Sequence, residues 1–228
     1  KGEGLNLTFQ VRDGIISHDG EVHNTVLQPN NQKNQQDIDL YINEKTLGKK
    51  AAMMPATIEG CVVRITDTIA YIGQDIEDAI RLNILKRTDL PEKCVKYLGN
   101  TNSKIIDSLV KSVIVNSYDK PYISFDDETS SYLLELKNFN YKYIYTNDNV
   151  KKANKIINRS MEILFEKYLE DIETNNTQSK IFRHFLDHKK ERYLTRYNNT
   201  EKVRDFIATM TDRYFNEEVK DFLLPWKF

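Results

Sequence analysis

Apolar residues recur at three- and four-residue intervals along Ile58, Cys61, Val62, Ile65, Ile69, Ile72, Ile76 and Ile80, which is the period of one buried helical stripe. The pattern predicts an amphipathic helix over residues 59–80, with Pro55 in its first turn, where a missing N–H costs no helical bond, and an end before Pro91. Asp67, Tyr71 and Asp75 stand four residues apart and, with Asp78, fall roughly opposite the stripe. Periodicity alone makes such a row the solvated face. Helical periodicity also covers residues 7–17, 101–116, 149–173, 179–197, 201–215 and 217–224, and the turn chemistry of His18-Asp19-Gly20 closes the first of these. Residues 29–37 are polar and predict an exposed loop, and residues 173–178 predict a turn. Phe139, Tyr141, Tyr143 and Tyr145 alternate as in a short strand. The whole reads as an all-α, multi-helix bundle in one domain over residues 1–228, with no internal repeat and no linker.

Composition narrows the class. A length of 228 residues with 39% hydrophobic and 11% aromatic content is enough to bury a substantial core. Lys and Arg number 33 against 34 Asp and Glu, so the net charge of -1 gives no general attraction for nucleic acid or an anionic membrane. Nucleic acid stays open but is not indicated. No run approaches the roughly 18 apolar residues that span a bilayer, and no signal peptide opens the chain. The expectation is a soluble, cytoplasmic protein. Cys61 and Cys94 make no metal-binding pattern, and Cys61 sits on the apolar stripe, so both are expected as reduced thiols. The chain opens on Lys1 without an initiator Met and reads as a fragment.

The string VVRITDTIAYIGQDIEDAI within the long helix resembles the last metal-ligand motif of the HD-domain deoxynucleoside triphosphate triphosphohydrolases, the dGTPase-like family, which runs approximately V-V-R-x-A-D-x-I-A-Y-x-x-H-D-I-D-D-A. Three further stretches resemble that family in matching order: GLNLTFQVRDGIISHDGE at residues 4–21, LKNFNYKYIY at 136–145, and VRDFIATMTDRYF at 203–215. The resemblance favours helix over strand for the aromatic cluster. It also implies an incomplete HD-type bundle, a homo-oligomer, a divalent metal such as Mg or Mn, and a deoxynucleoside triphosphate substrate. Asp67 matches the distant carboxylate that joins a His and an adjacent His-Asp pair on the metal, a hard-oxygen ligand beside imidazole nitrogens. Tyr71 and Asp75 match the residues that bind the deoxyribose 3′-hydroxyl, where a phenol stacks or donates and a carboxylate accepts. A tyrosine packed next to C2′ would also favour deoxy over ribo sugars.

Departures from the family pattern carry equal weight. No His-Asp pair in H-D-x-G-H-x-P-F-G-H surroundings occurs, and His18-Asp19 is a bare dipeptide out of place, so three of the four metal ligands are missing and no catalytic residue is assigned. This chain alone is expected to be inactive. Thr68 stands where the family often has Lys or Arg, and Gln74 replaces a common His. His184 and His188, spaced i, i+4 but without a protease Glu, read as structural, and His18 and His23 as remote supporting groups. Asp78, Asp205, Asp212, Arg213 and Tyr214 read as structural or surface groups. Lys189, Lys190, Arg192 and Arg196 form a basic run that usually means a solvated face. The alternative to an enzyme portion is a non-catalytic helical regulatory or interaction module on the same scaffold.

Overall fold

The computed structural model describes residues 5–19, 23–49 and 53–223. Helices dominate: α1 (Phe9–Ile16), α2 (Gln35–Thr46), α3 (Ile58–Arg81), α4 (Glu92–Leu98), α5 (Asn102–Ser117), α6 (Asp127–Asn140), α7 (Asp148–Glu173), α8 (Lys180–His184), α9 (Glu191–Arg196), α10 (Asn199–Ala208) and α11 (Asp212–Leu223). One antiparallel pairing, Val26–Leu27 with Ile123–Ser124, is the only strand structure among the described residues. The fold is all-α. None of the described helices is long and apolar enough to cross a membrane. The chain forms two compact units, Asn6–Val150 and a second from Lys151 onward.

In the first unit α3 is the organising element. Its Cys61, Ile65, Ile69, Ile72 and Ile76 are all buried, against Cys94 and Leu98 of α4, Ile105 and Leu109 of α5, and Leu133 and Leu136 of α6. At Gly73 a Cβ would lie 2.5 Å from Asn102 Oδ1, so only glycine lets the start of α5 approach this closely. Glu77 then accepts from the Arg87 guanidinium at 3.0 and 2.6 Å and from the Asn102 N–H at 3.2 Å, fixing the crossing. The Arg87 hydrogen bonds hold the Glu77 carboxyl below its usual range.

A second anchor is polar. Lys33 forms an ion pair with Asp13 and donates to Ser17 Oγ at 3.0 Å and the Met54 carbonyl at 2.7 Å, while Asp13 accepts the Ala56 N–H at 2.6 Å. Arg64, on α3, donates to the carbonyls of Ser17 at 3.0 Å and Met53 at 3.2 Å. These buried charges tie α1 and two irregular segments to α3.

The unit from Lys151 onward has its own core of Leu164, Tyr168, Ile181, Phe185, Leu186, Val203 and Phe206. Tyr168 donates to buried Glu218, which Lys180 also pairs. Burial and then the adjacent carboxylate push the Tyr168 phenol up, keeping it protonated.

Several boundaries differ from the sequence expectation. Thr57 caps α3 by accepting the Gly60 N–H at 3.1 Å, so Pro55 lies outside the first turn and packs beneath Gly60 instead. Part of the expected polar loop is helical: Asn34 and Asp37 form a capping box that starts α2. The run over 179–197 breaks at Phe185, which leaves helical geometry and packs edge-on against Tyr193 and at a tilt against Phe206. The last helix pair divides at Thr209–Thr211 rather than near Asn216, because Thr211 Oγ1 accepts the Tyr214 N–H at 3.2 Å and starts α11. Val62 is 42% exposed and drops out of the buried stripe. The motif residues Gly4, Gly20 and Glu21, and Leu224 at the expected end of the last helix, lie outside the described residues.

Candidate functional site

Helix α3 turns one flank toward a cleft of ≈ 670 Å³ in the first unit, and Asp67, Thr68, Tyr71, Ile72 and Asp75 line that wall. The opposite wall comes from α6 and the turn that follows it, with Leu134, Lys137, Asn138, Asn140, Tyr141 and Tyr145. Asp19 and His23 complete the lining. The three sequence-assigned residues therefore share one cavity on a flank of the stripe, where a simple solvated face was the alternative. Asp78 lies apart from it, accepting from Gln74 at 3.0 Å and Arg81 at 3.2 Å on the helix surface. Gln74 is likewise turned toward α5, accepting from Asn102 Nδ2 at 3.2 Å.

The second wall was not assigned from sequence. Lys137, Tyr141 and Tyr145 repeat at spacings of four, as Asp67, Tyr71 and Asp75 do, so two helical rows face one cleft. The aromatic alternation does not make a strand. Residues Tyr141–Tyr145 form a π-helical turn continuing α6, a feature often found at functional sites. Asn140 secures this turn to α3 by donating to the Ile72 carbonyl at 3.0 Å, and its own Oδ1 has no partner among the described residues. Tyr145 donates its phenol to Asp75 across the cleft. Burial first, and then the Asp75 carboxylate, raise the Tyr145 phenol above its usual range and keep it a donor.

His23 contacts Ser130 Oγ at 2.9 Å, and Thr25 Oγ1 contacts the same hydroxyl at 2.6 Å. Burial, then the nearby Lys137 ammonium, lower the His23 pKa from its ordinary 6.5. The unfolded chain then binds more protons than the native one between the lowered value and 6.5. Stability is complete above pH 6.5 and falls as pH drops toward the native value. A denaturation series across this interval should show that loss, and His23→Gln should flatten the slope; an unchanged slope would remove His23 as its source.

Among the described residues no group of three or more His, Cys, Asp or Glu side chains converges to hold a metal ion. Asp67 offers a single carboxylate and does not by itself complete a metal site. Cys61 and Cys94 are free and buried, their thiols pushed up to about 11 and about 12, chiefly by burial. His18, His184, Lys189 and Arg196 make local contacts. His18 contacts the Ile15 carbonyl at 2.6 Å at the end of α1, and His184 contacts the Tyr214 hydroxyl at 2.8 Å. Lys189 lies over the Phe185 and Tyr193 rings and Arg196 over Tyr197. Tyr193 donates to Asp205 at 2.7 Å, and Arg213 pairs with Glu217 at 2.9 Å.

Residues 123–221 match the model of the phosphohydrolase-associated domain. Over 224 residues it is 33% identical to a deoxyguanosinetriphosphate triphosphohydrolase-like protein of Caldanaerobacter subterraneus subsp. tengcongensis, covering 98% of this chain and 54% of the relative. Proteins of the same description from Clostridium perfringens (29% identity; 98% of this chain, 56% of the relative) and Rickettsia prowazekii (23%; 97% and 62%) are also similar. Along nearly all of its length the chain is similar to proteins of this one description. It spans about half the length of the curated relatives it matches.

Proposed function

We propose that this chain is the C-terminal portion of a metal-dependent deoxynucleoside triphosphate triphosphohydrolase of the HD type, and that its cleft forms the sugar-binding half of the active site. The observation that supports this reading most is the convergence of Asp67, Tyr71 and Asp75 with Lys137 and Tyr145 on one cavity. Tyr71, 60% exposed, offers a ring face for a deoxyribose, and Asp75 accepts a sugar hydroxyl in exchange for the Tyr145 phenol. Lys137 supplies positive charge to the same cavity, suited to phosphate oxygens. Asp67 contributes one carboxylate toward a divalent metal such as Mg or Mn, whose other ligands come from polypeptide outside this chain. A metal held there would activate water and offset charge on the triphosphate. The products would be a deoxynucleoside and inorganic triphosphate, and the chain alone would be inactive.

The test is release of triphosphate from deoxynucleotides by the full-length protein. Tyr71→Ala should leave stability within about 0.5 kcal/mol, because the ring is exposed. It should raise KM about ten-fold, the equivalent of about 1.4 kcal/mol of lost contact, and reduce discrimination against ribonucleotides. Steady-state kinetics on matched deoxy and ribo substrates decide this. An unchanged KM and selectivity would take Tyr71 out of the sugar site.

A further inference from the structure

Helix α7 packs along only part of its length. Leu164 and Tyr168 enter the core of its unit, whereas every side chain from Lys151 to Arg159 is exposed. Ile157 and Met161, 43% and 45% exposed, stand in one row with Phe165 at spacings of four. A helical stretch this short with nothing packed on it is marginal in water. At Phe165 the row borders a groove of ≈ 540 Å³ against α10, floored by Met161, Phe165, Ile207 and Ala208 and rimmed by Glu162, Glu166 and Arg204.

Charge along α7 is segregated. Residues 151–159 carry four cations and no acid, and residues 162–173 carry five acids and one lysine. The helix dipole favours the reverse order, with acids near the N-terminus and cations near the C-terminus. Asp148 follows that rule in the first turn, but the last turn holds no basic residue. Local pairs absorb part of the charge, Arg159 with Glu162 at 3.2 Å and Lys167 with Asp171 at 2.8 Å. Lys152, Lys155, Glu166 and Glu170 are exposed and stand outside these pairs. The order costs the single helix stability, and an antiparallel helix of the same sequence offsets that cost, because each basic half then lies along an acidic half.

We infer that α7 is an interaction surface for a second copy of this chain, the two helices pairing antiparallel about a twofold axis close to Met161. With Met161 on the axis, Ile157 of each copy falls against Phe165 of the other and enters the apolar groove. The same placement brings Lys152 opposite Glu170 and Lys155 beside Glu166. Such a contact is self-complementary, as a twofold interface requires, and both its apolar row and its charge order come from one helix. It is independent of the chemistry assigned to the cleft.

The experiment is oxidative cross-linking of cysteine variants of the full gene product that contains this chain, with the unsubstituted protein as background. The native Cys61 and Cys94 are buried. A disulfide needs Cβ atoms about 4 Å apart, so Met161→Cys should form a linked dimer at least about ten times faster than Lys111→Cys on exposed α5. Antiparallel order is read from Lys152→Cys mixed with Glu170→Cys, which should cross-link faster together than either does alone. Lys152→Glu with Lys155→Glu should slow the Met161→Cys reaction at least about ten-fold, and adding Glu166→Lys with Glu170→Lys should restore it. These four positions are exposed, so the reversals leave the fold intact. No Met161→Cys dimer above background, Lys152→Cys linking faster alone than in the mixture, or a rate unmoved by charge reversal would each overturn the proposal.

Discussion

Asp67→Ala in the full-length protein should lower kcat by at least about a thousand-fold, a loss of about 4 kcal/mol of transition-state stabilisation. The size follows from the role. A carboxylate that directly ligates the metal cannot be replaced by water without changing charge and geometry together, whereas groups that merely orient ligands cost about 10- to 100-fold. The substitution should not unfold the protein. Asp67 is half-buried on the cleft wall, and no hydrogen bond or ion pair among the described residues holds it. The midpoint of urea unfolding should therefore move little, a shift within about 0.5 kcal/mol. Turnover measured beside unfolding separates the two possibilities. Wild-type kcat in the Asp67→Ala protein would remove Asp67 from the metal shell, and a large stability loss would make its role structural.

Asp13→Ala should act in the opposite way, costing about 3 to 5 kcal/mol of stability. With the carboxylate gone, the Lys33 ammonium stays inside, its side chain 2% exposed, and retains only neutral partners in Ser17 and Met54. The Ala56 N–H loses its acceptor as well. Breaking one side of a buried pair leaves an uncompensated charge, which is far more costly than lacking the pair altogether. The double change Asp13→Ala with Lys33→Met should accordingly recover more than half of the loss. Urea denaturation of the two variants checks this. If the double variant is no more stable than Asp13→Ala, the cost lies in the Ala56 and Ser17 contacts instead.

The long helix α3 was readable because five apolar side chains fall on one stripe over many turns, a signal that tertiary context rarely overrides. On α1 the same arithmetic found the helix but not its buried face. There the buried residues are Asp13 and Ser17, and burial of a polar group depends on a partner, Lys33, that no local period reveals. For Phe139 to Tyr145 alternation alone left a strand open and only the resemblance favoured the helix that forms, since a short aromatic run carries little information on whether its period is two or four. The contact that gives this segment its place is between Tyr145 and Asp75, separated by 70 residues. Lys137, Tyr141 and Tyr145 nonetheless held a usable signal, the same four-residue spacing that marked Asp67, Tyr71 and Asp75. The break at Thr209–Thr211 was hidden because apolar periodicity ran on across it, although Thr211 is a residue type that caps helices. Of the proposed metal site the sequence offered only Asp67, and the chain spans about half the length of the relatives it matches.

The most direct measurement is a product analysis. The full-length protein, loaded with Mg or Mn, is incubated with dGTP and the other deoxynucleoside triphosphates, and deoxynucleoside and inorganic triphosphate are quantified by ion-exchange chromatography. Equimolar deoxynucleoside and triphosphate, lost in Asp67→Ala, is the predicted result. No triphosphate from any deoxynucleotide, or pyrophosphate with a monophosphate in its place, would contradict the account.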